Sequence, residues 1–115
     1  MGLTRKTGYP LKQMAENVGL EEDEYVSLLE LFVETSTVYV NELREAVRKG
    51  DSRSVYETTH MIRGAAENLY IPKMSEIAKT LELRARQNIL EGAQEVVEHL
   101  TKELAYLRDI AHEDQ

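Results

Sequence analysis

The sequence predicts an all-α protein: an up-down antiparallel four-helix bundle with a short additional helix at its N-terminal end. Three observations carry this prediction. Gly and Pro make up 8 of 115 residues, against roughly 12% in average usage, and all-β folds spend these residues at their many turns. Apolar residues recur at spacings of three and four along five segments, the mark of amphipathic helices. The breaks between segments are short, and short connections make antiparallel neighbours.

The composition also excludes whole classes of function. The length suits one domain. Cysteine is absent, so there is no disulfide, thiolate nucleophile or Cys-containing zinc site. The net charge of −7 disfavours binding to nucleic acid or anionic membranes. No apolar run approaches the ~18–20 residues of a membrane span. The polar stretch Met1–Thr7 has no signal-peptide core. The expectation is a cytoplasmic, monomeric domain that meets neither nucleic acid nor membrane.

Residues 1–8 are expected to form a flexible arm, and residues 9–112 the bundle. The first helix runs from Pro10 to about Val18, with Leu11, Met14, Ala15 and Val18 on one face. Pro10 suits its first position and Gly19 its end. Glu21-Glu22-Asp23-Glu24 then complements the dipole at the start of a long second helix. Its expected core stripe is Leu28, Leu31, Phe32, Thr35, Val38, Leu43, Ala46 and Val47. Thr35-Ser36-Thr37 can bend it by competing for backbone bonds, and Gly50 closes it. Asp51 or Ser52 caps the third helix, whose seam is Val55, Thr59, Ile62, Ala66 and Leu69. Pro72 opens the fourth, with Met74, Ile77, Ala78, Leu81 and Ala85 inward. Residues 87–92 hold the next break. The last helix spans about Ala93 to Ala111, burying Val96, Val97, Leu100, Leu104, Leu107, Ile110 and Ala111.

One face is not explained by packing. At 100° per residue with Thr59 as zero, Arg63 falls at about 40°, Tyr56 at about 60°, Glu67 at about 80°, His60 at about 100° and Gly64 at about 140°. His60 therefore lies beside the core seam, partly exposed, with a cation at i+3 and a glycine at i+4. A glycine inside a helix costs roughly 1 kcal/mol relative to alanine. Gly64 serves either close packing within the protein or the approach of something large to the backbone beside His60. On the fourth helix Lys79, Glu82 and Arg86 share a flank. In an antiparallel hairpin, His60 and Glu82 lie equally far from the turn near residue 71. Glu82 is thus either an ordinary surface partner of Arg86 or Lys79, or the carboxylate that fixes the tautomer of His60 and leaves its other nitrogen free.

An exposed, oriented imidazole with a neighbouring cation suits nucleophilic catalysis through phosphohistidine. A neutral imidazole attacks phosphorus without a strong base, and a fork-shaped arginine balances charge on the phosphoryl oxygens. The sequence has no GxxxxGK[ST] and no GxGxxG, so the phosphoryl group must come from another protein.

At these residues the sequence resembles the histidine phosphotransfer (HPt) domain of bacterial multistep phosphorelays. His60-Met61-Ile62-Arg63-Gly64-Ala65-Ala66-Glu67-Asn68-Leu69 is similar to that family's H-x-[LI]-[KR]-G-[SA]-A-x-N-L signature. Leu31-Phe32, Leu43, Ala46 and Gly50-Asp51 resemble its preceding helix and turn, and Leu81-Glu82 its next helix. The resemblance covers roughly residues 10–111. It implies a phosphoryl group carried on Nε2 of His60 and exchanged with the aspartate of a response-regulator receiver domain. It also implies a histidine kinase or hybrid kinase upstream, and no cofactor in this chain, the Mg2+ of the step belonging to the receiver. By position, His60 is the phosphoacceptor and Glu82 orients the imidazole. Arg63 and Lys79 lie near the phosphate, and Gly64, Tyr56 and Glu67 lie on the docking face. The sequence departs from the pattern at Arg63 (commonly Lys), Ala65 (often Ser), Glu67 (usually small) and Tyr70 (usually Gly).

Two other readings compete. Glu57-Thr58-Thr59-His60 is an E-x-x-H, but di-metal bundles need two such motifs and two further glutamates, and Asp109-Ile110-Ala111-His112 is a poor second copy. A helical adaptor that binds a partner without phosphotransfer is the other. From Arg53 to Asn88 the six cations Arg53, Arg63, Lys73, Lys79, Arg84 and Arg86 face the four anions Glu57, Glu67, Glu76 and Glu82. That hairpin is net +2, on a remainder of −9, a local sign that suits a phosphoryl group and an acidic receiver pocket.

Overall fold

The computed structural model describes residues 10–113, so the expected arm at 1–8 lies outside the described residues. Five helices follow in order: α1 Leu11–Asn17, α2 Glu22–Lys49, α3 Ser52–Asn68, α4 Pro72–Arg86 and α5 Ala93–Glu113. Helices α2 to α5 close a ring in which each packs on its chain neighbours and α5 returns to α2, while α1 lies on α2. The body is elongated, 46 × 21 × 19 Å.

The caps show why the chain breaks where it does. In α2, the Glu24 carboxylate reaches back to accept from the Glu21 N–H at 2.9 Å, satisfying a donor that the first turn leaves unpaired. Asp51 caps α3, accepting from the Ser54 N–H at 3.1 Å and from its hydroxyl at 2.7 Å. Four helices end in the same way. Gly19, Gly50, Tyr70 and Asn88 each take a left-handed φ, between 54° and 73°. In each case the next residue's N–H bonds the carbonyl five residues back, the Schellman closure.

Tyr70 is the costly member of that set. It has φ 54°, where a residue with a Cβ is disfavoured by ~1–2 kcal/mol, and its side chain is exposed. Tyr70→Gly is expected to raise the stability of the bundle by ~0.5–1 kcal/mol, offset in part by the greater freedom of the unfolded chain. Thermal or urea unfolding checks this, and a lower midpoint would contradict it. The turn is braced from α2: the wholly buried Tyr25 donates its hydroxyl to the Leu69 carbonyl at 2.6 Å. Burial drives the Tyr25 phenol upward and keeps it a donor.

The core agrees with the expected seams of α3, α4 and α5. Val55, Thr59, Ile62, Ala66, Met74, Ala78, Leu81, Val97, Leu100 and Leu107 are fully buried, and Leu69, Ile77 and Val96 are partly so. Thr59 fits because its hydroxyl bonds the Val55 carbonyl at 2.7 Å.

The expected stripe of α2 needs correction. Phe32, Leu43 and Ala46 are buried, but Leu28, Leu31, Thr35 and Val38 are exposed, and Tyr25, Val26, Leu29, Val33, Ser36 and Val40 face inward instead. Three neighbours, α1, α3 and α5, surround α2. They choose a buried arc one residue round from the expected one, and periodicity alone does not distinguish two apolar stripes on one helix. No break occurs at Thr35–Thr37. The helix is continuous, and the Thr37 hydroxyl bonds the Val33 carbonyl at 2.7 Å within it.

Candidate functional site: the His60–Glu82 pair

Helices α3 and α4 form the hairpin that builds the site. Their joint, Leu69 to Ile71, sets the register, and residues equally far from it meet. The His60 Nδ1 lies 2.8 Å from Oε2 of Glu82. Glu82 is buried on the flank of the α4 seam, while His60 is 54% exposed. The ring stacks on Tyr56, one turn earlier on α3, with centroids 6.0 Å apart and planes at 17°.

Arg63 completes the arrangement. Its Nε donates to Oε1 of Glu82 and its Nη2 lies 3.3 Å from Oε2, a bidentate pairing. Its Nη1 lies 3.0 Å from both oxygens of Glu67. Burial alone would push the Glu82 carboxyl up, but hydrogen bonds from Arg63 and His60 outweigh it and hold the group below the usual carboxylate range. The same two glutamates hold the Arg63 guanidinium above its ordinary value. Both members of the pair are therefore ionised at neutral pH.

An ionised Glu82 can only accept, so Nδ1 of His60 carries the proton. Arg63 Nη2 also lies 3.2 Å from Nδ1. A protonated Nδ1 has no lone pair in that direction, so this contact is proximity along the shared carboxylate. The lone pair is then left on Nε2, the nitrogen turned away from Glu82, and the side chain that carries it is half-exposed.

The remaining expected site residues fall on or near this face. Gly64 is mid-helix, and a Cβ built there meets no other atom within 4 Å. Close packing inside the protein therefore does not explain it. Lys79 is exposed, one turn before Glu82, and makes no ion pair among the described residues. Arg86, one turn after Glu82, is exposed too. Neither is the partner of Glu82, so the surface ion-pair reading of that residue gives way to the His60–Arg63 network. His99 and His112 are exposed on α5, and neither belongs to the hairpin. Among the described residues, no group of three or more His, Asp or Glu is placed to hold a metal.

Some polar contacts escaped sequence reasoning. The Arg63–Glu67 pair has i,i+4 spacing, which signals a helix-surface ion pair. Glu103 is buried in α5 and receives Lys73 from α4 at 3.0 Å. It directly precedes the seam residue Leu104, and no sequence signal marks it.

The family model of the Hpt domain matches residues 27–110. The chain belongs to the Hpt domain family. It is a histidine phosphotransfer protein of phosphorelays, systems in which such domains work with kinases and receiver domains. This Hpt domain is similar in structure to the crystal structure of histidine-containing phosphotransfer protein B (HptB) from Pseudomonas aeruginosa PAO1. The TM-score is 0.78, with 29% sequence identity and 88% of each chain covered. No curated protein gives a significant sequence match. No described helix of the Hpt domain is long and apolar enough to cross a membrane.

Proposed function

We propose that this Hpt domain carries its phosphoryl group on Nε2 of His60 and exchanges it with the aspartate of a response-regulator receiver. The observation that carries this reading is the exposed imidazole whose Nδ1 is held by the buried Glu82 at 2.8 Å. The step balances without a base. Nε2 attacks phosphorus, the Nε2–P bond forms as the P–O bond to the aspartate breaks, and the aspartate leaves as carboxylate. The proton stays on Nδ1, and Glu82 offsets the positive charge that the ring gains. The chain's contribution is position and charge, which is most of what phosphoryl transfer needs.

Lys79 supplies an exposed cation one turn from Glu82, available to phosphoryl oxygens. The open backbone at Gly64 and the ring of Tyr56 belong to the docking face. Met61 is exposed on α3 and shares a groove with Glu42 and Glu45 of α2. Val38, also exposed, lies one and two turns before those two glutamates on the same side of α2, which widens the apolar part of that face. The Mg2+ of the step belongs to the receiver. A histidine kinase or hybrid kinase supplies the group, and the chain acts as a cytoplasmic monomer.

Incubation with phosphoramidate or a phosphorylated receiver is expected to place an acid-labile, base-stable label on the wild-type protein and none on His60→Gln. His99 and His112 serve as internal controls. Equal labelling of His60→Gln would refute the assignment.

A further inference from the structure

Arg63 has its fork occupied on both sides, and the two sides are unequal. Glu82 is 9% exposed and also holds His60, whereas Glu67 is 53% exposed and touches Arg63 only through Nη1. Exposed ion pairs are weak and exchange readily, while a buried bidentate pair resists opening. The Glu67 side is the one that can open. Glu67 also lies two turns from His60 on nearly the same face of α3, and it holds Nη1 of the arginine whose Nη2 lies 3.2 Å from the His60 ring.

We propose that Glu67 stands in for the phosphoryl group: it holds the outer edge of Arg63 while His60 is unmodified and competes for that edge once Nε2 is phosphorylated. This rests on the reading of His60 as the phosphoacceptor. A phosphoryl group brings close to two negative charges and three acceptor oxygens, which an arginine fork matches well. To reach them, Nη1 must leave Glu67, and Glu67 is then left with an anion beside it. Both effects disfavour the phosphorylated state. When the group departs, Arg63 returns to Glu67, so the carboxylate favours handing the group on over keeping it. A glutamate where the family usually has a small residue thus tunes the carrier toward release.

The test uses phosphoramidate as donor. Nε2 attacks its phosphorus, the N–P bond of the donor breaks, and ammonia leaves with the donor's own protons. The ratio of phosphorylated to free His60, read by 31P NMR at fixed phosphoramidate and ammonium concentrations, measures the stability of the product. Glu67→Gln is expected to raise that ratio by about twofold to fivefold, the range of an exposed ion pair. Glu67→Asp, which keeps the charge, stays near wild type. Glu57→Gln, which removes an exposed charge paired with Arg53 on the same helix, leaves the ratio unchanged. In an Arg63→Gln background the effect of Glu67→Gln falls to less than half, because the competition is gone. A ratio for Glu67→Gln equal to wild type overturns the proposal. So does an undiminished effect without Arg63, which would leave repulsion alone. Absence of any His60 label in the wild type overturns the phosphoacceptor reading and this inference with it. A labelled His60 that ignores Glu67 overturns the inference only.

Discussion

Replacing Glu82 by alanine is expected to slow phosphoryl exchange at His60 by about 10- to 100-fold, the usual cost of removing a carboxylate that orients a functional imidazole. Without it, nothing in the hairpin selects the tautomer with its proton on Nδ1. The positive charge that develops on the ring also loses its counter-ion. Glu82→Gln is expected to fall between the two, since its amide oxygen can still accept from Nδ1 but carries no charge. Transfer rates from phosphoramidate, with helicity checked by circular dichroism, measure this. A near-normal rate in a folded Glu82→Ala protein would show that the imidazole needs no orienting group. The linkage to stability has a definite sign. Glu82 has a depressed folded-state pKa, so its contribution is present above the ordinary carboxylate range and lost as pH falls through the folded value. The stability gap between wild type and Glu82→Gln is therefore expected to be widest near neutral pH and to close in acid.

Gly64→Gln is expected to cut transfer from a phosphorylated receiver by about tenfold or more. Even a misplacement of roughly 1 Å in the reacting groups can cost ~100-fold. Labelling of His60 by phosphoramidate should be unchanged, because a small donor needs no bare helix backbone. That split separates a docking role from a chemical one. Gly64→Ala gives the complementary result. A Cβ meets nothing within 4 Å, so alanine is expected to stabilise the protein by ~1 kcal/mol, raising the midpoint by about 4–8 °C. The glycine thus weakens the isolated fold and has no packing return within it. Equal receiver transfer by Gly64→Gln and wild type would place docking elsewhere.

Sequence legibility was high wherever a local rule decided the outcome. Pro72 and Asp51 marked helix starts, and Gly19 and Gly50 marked helix ends. The count from the α3–α4 turn brought Glu82 to His60. It was low wherever a choice depended on neighbours in space. Leu28, Leu31 and Val38 form as regular a stripe as Tyr25, Leu29 and Phe32, and only the placement of α1, α3 and α5 decides which one is buried. Arg63 could be assigned to a phosphate by its position relative to His60, but its engagement by two glutamates at once depends on the height of Glu82 across the hairpin. Tyr25 bonding a carbonyl 44 residues away has no signature in the chain at all. Tyr70 is the opposite case: a left-handed position filled by a residue that does not advertise it.

The joint between α3 and α4 acts as a gauge. Only Leu69, Tyr70 and Ile71 separate the two helices, and the residue facing His60 is fixed by counting from them. One extra residue wound into the start of α4 would turn everything after it by about 100° and advance it by about 1.5 Å. Glu82 would then face away from the imidazole, and the buried seam residue Leu81 would take its place. The break at 87–92 carries no such condition, because the pair lies wholly before it. Insertions and deletions there alter only how α5 meets the body. The chain can vary its length at one turn and must keep it at the other, so the chemistry of His60 depends on a number of residues as much as on their kinds.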